Sequence, residues 1–160
     1  MPVPEGMRAF GSQQWHRDPD DQQLVKVFLY LNDVDETAGP FSYLQRSQRG
    51  GKWRNLFPQY PPRGTYKVPR NVNDFVPQDE VIMCKGKAGT LIFCDTSGLH
   101  KGGYASSNKR LMYTGAYLTN AAFWPVEYSY AQSLKIDSLP TIMRYIVTND
   151  FHQKKPRFYL

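Results

Sequence analysis

His16-Arg17-Asp18 and the distant His100, followed ten positions later by Arg110, are the residues whose types and spacing could do chemistry. Along an extended strand, residues two apart project to the same side, so His16 and Asp18 can reach one metal ion together. His100, supplied by a neighbouring strand, would complete two imidazoles and one carboxylate and leave adjacent coordination positions open. That donor set suits a non-haem Fe(II) centre. Taken alone, the triplet is better read as a surface histidine beside the acidic run HRDPDD. The pairing with His100 and Arg110 gives it weight.

Pro19 removes a backbone donor directly after the triplet and is expected to end its strand. The metal pair then sits at a strand end, on the rim of a barrel. The preceding SQQW is strand-compatible. His100 lies in DTSGLHKGG, where Gly98, Gly102 and Gly103 permit irregular backbone and close approach of a bound group. His152, in the tail FHQKKPRF, has no ligand partner nearby and reads as a solvated residue. Arg110 opens the apolar run RLMYTGAYLT. An arginine pointing into a small barrel needs a carboxylate, and its planar fork matches one through two parallel hydrogen bonds. Strand alternation groups Met112 and Thr114 with Arg110 and turns Lys109 to the opposite face.

These residues need a frame, and the chain reads mostly as β. Leu24 to Val34 is rich in β-branched and aromatic residues and predicts a buried strand. A turn through Gly39-Pro40 leads to a short strand from Phe41 to Gln45. Residues 46–80 lack periodicity and are rich in Gly, Pro and Arg, which predicts a long irregular loop over a barrel mouth. Strands return at Val81–Cys84, Thr90–Cys94 and Leu111–Thr119. The stretch from about Val126 to Thr148 is the one plausible helical region, broken at Pro140. Seven or so short strands with turn punctuation indicate an all-β sandwich or jelly roll.

A chain of 160 residues is most simply one domain with one core. It holds no apolar stretch long enough to cross a membrane and begins with no signal-peptide pattern. Cys84 and Cys94, its two cysteines, read as reduced core residues, which fits a cytoplasmic setting. The net charge of +6 is scattered in small groups, so it describes a solvated surface with a basic tail. It permits attraction of an anionic substrate without requiring it.

The strings WHRDPDD, VFLYLNDVDETAGPFSYLQRSQRG, GTLIFCDTSGLHKGG and KRLMYTGAYL span roughly residues 10 to 120. In combination they resemble the phytanoyl-CoA dioxygenase-like family of Fe(II)/2-oxoglutarate-dependent oxygenases. The resemblance implies an all-β core shaped as a double-stranded β-helix (jelly roll, cupin-like), with a short C-terminal helical region. It implies Fe(II), 2-oxoglutarate and O₂ as cofactor and cosubstrates. His16, Asp18 and His100 match the iron ligands, Arg110 the residue holding the distal carboxylate of 2-oxoglutarate, and Phe28 an aromatic beside that cosubstrate. Asp18 marks a hydroxylase, because halogenating relatives carry a small residue there. The implied reaction hydroxylates a small organic substrate and releases succinate and CO₂.

The resemblance also sets expectations for organisation. Residues 1–160 form a single oxygenase-like domain, with a core at about 10–120, a loop insertion at 46–80 and a C-terminal extension at 121–160. Fifteen residues precede His16, whereas family members carry helices and a first core strand there. The N-terminal part of the usual fold is therefore expected to be missing, and the exposed sheet edge to be covered by a further segment or a homodimer partner.

Three rival readings compete. One is a non-catalytic jelly-roll module that binds a small ligand, disfavoured because such a module has no chemical reason to keep all four residues. Another is an oxygenase acting on nucleic acid, suggested by Trp53, Tyr60 and Tyr66 among basic residues and disfavoured by the scattered charge. The third is a cupin-like isomerase or dioxygenase without a keto-acid cosubstrate, for which three histidines leave little room. Loop residues Trp53, Tyr60 and Arg63 are candidates for shaping the pocket, and the family name does not set the substrate.

Overall fold

The run LVKVFLY pleats into a strand because its branched and aromatic side chains fit a half-buried sheet surface. In chain order the strands are β1 (Leu24–Tyr30), β2 (Phe41–Leu44), β3 (Val81–Cys84), β4 (Leu91–Cys94), β5 (His100–Gly102) and β6 (Met112–Leu118). The computed structural model describes residues 10–58, 72–119, 122–123, 133, 135–141 and 143–144. Among the described residues, six strands form two antiparallel three-stranded sheets, ordered β4-β1-β6 and β3-β2-β5. The core is all-β. Among the described residues, no helix is long and apolar enough to cross a membrane.

The sheets meet through their inner faces. Leu24, Phe28 and Tyr30 of β1 are buried on one side, with Lys26 half-buried among them. Phe28 rests on Phe41 of β2 with ring centroids 4.8 Å apart, and Tyr30 donates to the Cys84 carbonyl across the gap at 2.6 Å. The outer face of the second sheet is covered too. Leu44 and Leu99 pack with Trp15, Val72 and Val76, and Trp53, Leu56 and Phe57 close over them. Against the expectation of a loop over a barrel mouth, the described part of residues 46–80 packs against the back of β2; residues 59–71 lie outside the described residues.

Several boundaries differ from the sequence reading, each for a local reason. β1 stops at Tyr30 rather than Val34, because side chains replace the ladder there. Asn32 accepts from the Leu111 amide at 2.6 Å and donates to the Lys109 carbonyl at 2.8 Å, while Asp33 accepts from the Ala88 amide at 2.9 Å. Ser12–Trp15 is not strand: Gly11–Gln13 is a 3-10 turn whose Gln13 side chain accepts the Phe10 amide. Pro140 does not break a helix. It opens one, with the Met143 and Arg144 amides both donating to its carbonyl, as a proline suits a first helical turn. Of the span from Val126 to Thr148, only residues 133, 135–141 and 143–144 are described, with a 3-10 turn at Ile136–Ser138.

The turn into β2 depends on Gly39, whose φ of +68° favours glycine. A side-chain carbon there would also meet the Gly103 carbonyl and the Tyr104 backbone, so this turn can lie flat against the segment after β5.

Candidate metal centre

The short extended segment His16–Asp18 is bonded to the chain leading into β5. His16 and His100 each donate their amide to the other's carbonyl at 2.9 Å, and the Asp18 amide donates to the Thr96 carbonyl at 3.0 Å. This pairing fixes the alternation: His16 and Asp18 turn to the inner side, and Arg17 turns away. Arg17 is buried and donates to five backbone carbonyls. They belong to Ser47, Trp53, Leu56, Phe57 and Ser97, so one guanidinium ties the His16–Asp18 segment to the packed loop and to the chain before His100. Burial brings its pKa down to about 10, opposed by Tyr43 and Asp95, and it stays charged at neutral pH.

On the inner side the three side chains converge. One ligand atom from each of His16, Asp18 and His100 lies within 4.8 Å of the other two. His16 Nε2 is 3.8 Å from Asp18 Oδ1, and His100 Nε2 is 3.6 Å from Asp18 Oδ2. The imidazole centroids are 4.2 Å apart. Each ring is oriented the same way, through its other nitrogen: His16 Nδ1 donates to the Gln14 carbonyl at 2.7 Å and His100 Nδ1 to the Gly98 carbonyl at 2.9 Å. A carbonyl only accepts, so Nδ1 carries the hydrogen and Nε2 presents a lone pair toward the carboxylate in the neutral ring. Backbone acceptors two residues upstream thus perform the same task at both histidines.

The electrostatics agree with a cation site. Burial and the neighbouring His16 hold the His100 pKa down, to about 4, against the pull of Asp18, and the ring is neutral at pH 7. Burial works against the charged form of Asp18. His100 and hydrogen bonds from Lys26 and Thr96 outweigh it and hold the carboxyl below its ordinary range. Two imidazoles whose Nε2 atoms face one ionised, buried carboxylate are the donor set a divalent transition metal takes. Gly98 is part of the support, because a side-chain carbon there would strike the Tyr43 ring, whose hydroxyl donates to the Asp95 carbonyl at 3.0 Å.

Arg110 lies just before β6, with a guanidinium nitrogen donating to the Gly39 carbonyl and a second hydrogen bond to the Tyr30 hydroxyl. A side-chain carbon placed on Gly102 would come 3.1 Å from its Nη2. Gly102 follows His100 by two residues on β5, so the guanidinium sits roughly 7 Å along the same inner face from His100. Burial lowers its pKa, opposed by Tyr30. Lys109 is exposed, as the alternation predicts; Met112 packs beside Tyr30, whereas Thr114 is exposed. Phe28 and Phe41 line the inner space next to the triad, with the Phe41 centroid 5.5 Å from that of His100.

The remaining residues singled out in the sequence fall differently. Trp53 donates its indole N–H to Glu80 at 2.8 Å and packs on the outer cluster, so its role is to anchor the loop. Tyr60, Arg63, Tyr66 and His152 lie outside the described residues. Cys84 and Cys94 are free thiols; burial pushes the Cys94 pKa up to about 12 and raises that of Cys84. Lys26 was not anticipated, although a lysine inside LVKVFLY on the face of Phe28 and Tyr30 signals a buried charge that must meet an anion. It meets Asp18, at 2.6 Å. No protein-family model matches this chain, and no curated protein is significantly similar to it.

Proposed function

We propose that this chain is an Fe(II)- and 2-oxoglutarate-dependent dioxygenase of the phytanoyl-CoA dioxygenase-like type, with a double-stranded β-helix core, hydroxylating a small organic substrate. The observation that carries the reading is the convergence of His16, Asp18 and His100 with both Nε2 atoms turned to one carboxylate. Iron bound there would supply oxygen activation coupled to decarboxylation of the keto acid to succinate and CO₂. The chain's own residues do the rest. His16, Asp18 and His100 hold the ion on one side and leave the other open. Arg110, roughly 7 Å along the face, suits the far carboxylate of a five-carbon dicarboxylate. Phe28 and Phe41 give that space an apolar wall and limit water. The free thiols fit a cytoplasmic setting.

The test is 2-oxoglutarate consumption with Fe(II) and O₂, measured as succinate release even without a substrate. The wild type is expected to turn over slowly and Asp18→Ala not at all. Metal binding with no succinate from the wild type would favour the rival reading, a jelly-roll module that retains its metal but has no oxygenase activity.

A further inference from the structure

Lys26 stands in the middle of β1 on the inward face, where an ammonium is costly unless paired. Its Nζ lies 2.6 Å from Asp18 Oδ2, the same oxygen that faces His100 Nε2 at 3.6 Å. The ammonium therefore holds an oxygen that a metal ion at the triad would also claim. A dication and an ammonium on one carboxylate oxygen repel each other across a few ångströms, and the partly buried setting screens that repulsion poorly.

We propose that Lys26 is an exchangeable counter-ion of Asp18 that makes metal loading depend on a carboxylate ligand. This rests on the metal-centre reading above. A metal ion at the triad would displace the ammonium from Asp18, and the ammonium, still beside the site, would then favour an anionic ligand such as the keto-acid carboxylate. The charge count gives the reason. Asp18 and Lys26 are one charge of each sign; a dication adds two positive charges beside the ammonium, and the keto-acid carboxylate offsets part of that excess while Arg110 takes the far carboxylate. The side chain has the means to move, with four flexible carbons behind the charge. Opposite Lys26 on β6 stands Ala116, small and exposed, which leaves the ammonium room to swing. Metal and cosubstrate thus bind cooperatively, each raising the affinity for the other by the same factor.

The experiment is calorimetric titration of Mn(II) into the full chain, with and without 2-oxoglutarate, for wild type, Lys26→Gln, Lys26→Met and Lys26→Arg. In the wild type, 2-oxoglutarate is expected to tighten Mn(II) binding at least tenfold. In the Gln and Met variants, Mn(II) alone should bind roughly tenfold more tightly and the gain from 2-oxoglutarate should be about tenfold smaller than in the wild type, leaving the part that chelation alone supplies. Lys26→Arg keeps the charge and should behave as the wild type. Neutral variants with wild-type affinity and coupling would overturn the proposal while leaving the metal centre standing. Failure of both neutral variants to fold, with Lys26→Arg folded, would make Lys26 structural only and overturn it as well. A folded wild type that binds no Mn(II) would overturn both readings.

Discussion

The main chains of His16 and His100 exchange both of their hydrogen bonds at 2.9 Å, and this places their imidazole centroids 4.2 Å apart. Two residues far apart in sequence are thus joined by backbone, and their rings are left free for chemistry.

Because the joint is made by backbone, removing a ring should cost ligation and spare the fold. His16→Ala and His100→Ala are each expected to weaken Mn(II) binding at least about 100-fold, with a native circular dichroism spectrum. Calorimetric titration checks this, and unchanged affinity in either variant would remove that histidine from the centre.

Arg110 should act on the cosubstrate and not on the metal. Arg110→Ala is expected to lower 2-oxoglutarate affinity roughly 100-fold, about 2.7 kcal/mol, while Mn(II) alone binds as in the wild type. Arg110→Lys should recover little, since an ammonium cannot form the two parallel hydrogen bonds. Equal losses of metal and cosubstrate would instead mean that Arg110 supports the fold through Gly39 and Tyr30.

Arg17 turns away from His16 and Asp18 and holds five carbonyls together. Arg17→Met leaves those buried acceptors without their shared donor and is expected to cost about 3–5 kcal/mol of stability. Urea unfolding measures it. A loss below about 1 kcal/mol would show that water or neighbouring groups replace the guanidinium.

Glu80 predicts a pH effect on the loop. The Trp53 indole, then Arg46 and Lys52, hold its carboxyl down at about 2. Its folded pKa lies below the ordinary carboxylate value, so its contribution is present above about 4.5 and is lost as pH falls toward 2. Trp53 fluorescence, taken as the difference between wild type and Trp53→Phe, should change across that window. Glu80→Gln should abolish the pH dependence of that difference, and a persistent transition would assign it to another group.

Much of this was legible in the sequence because it rests on short-range rules. The spacing of His16 and Asp18 put them on one side of an extended segment, and β3 falls on Val81–Cys84 as its composition predicts. What was not legible depends on long-range packing. Nothing local announces that Arg17 gathers carbonyls from Ser47 to Ser97, or that the chain around Trp53 packs behind β2 rather than over the site. The acceptors at Gln14 and Gly98 are backbone atoms, which side-chain motifs do not record. Lys26 left a signal, a charge on an apolar face, but its partner became evident only with the strand arrangement.

The central claim is that His16, Asp18 and His100 hold an iron ion to which 2-oxoglutarate chelates. Anaerobic addition of Fe(II) and 2-oxoglutarate, followed by visible absorption of the chelate, tests it most directly. The account predicts a band in the wild type that is absent from Asp18→Ala. A folded wild type that gives no band, or a band that survives in Asp18→Ala, would contradict it.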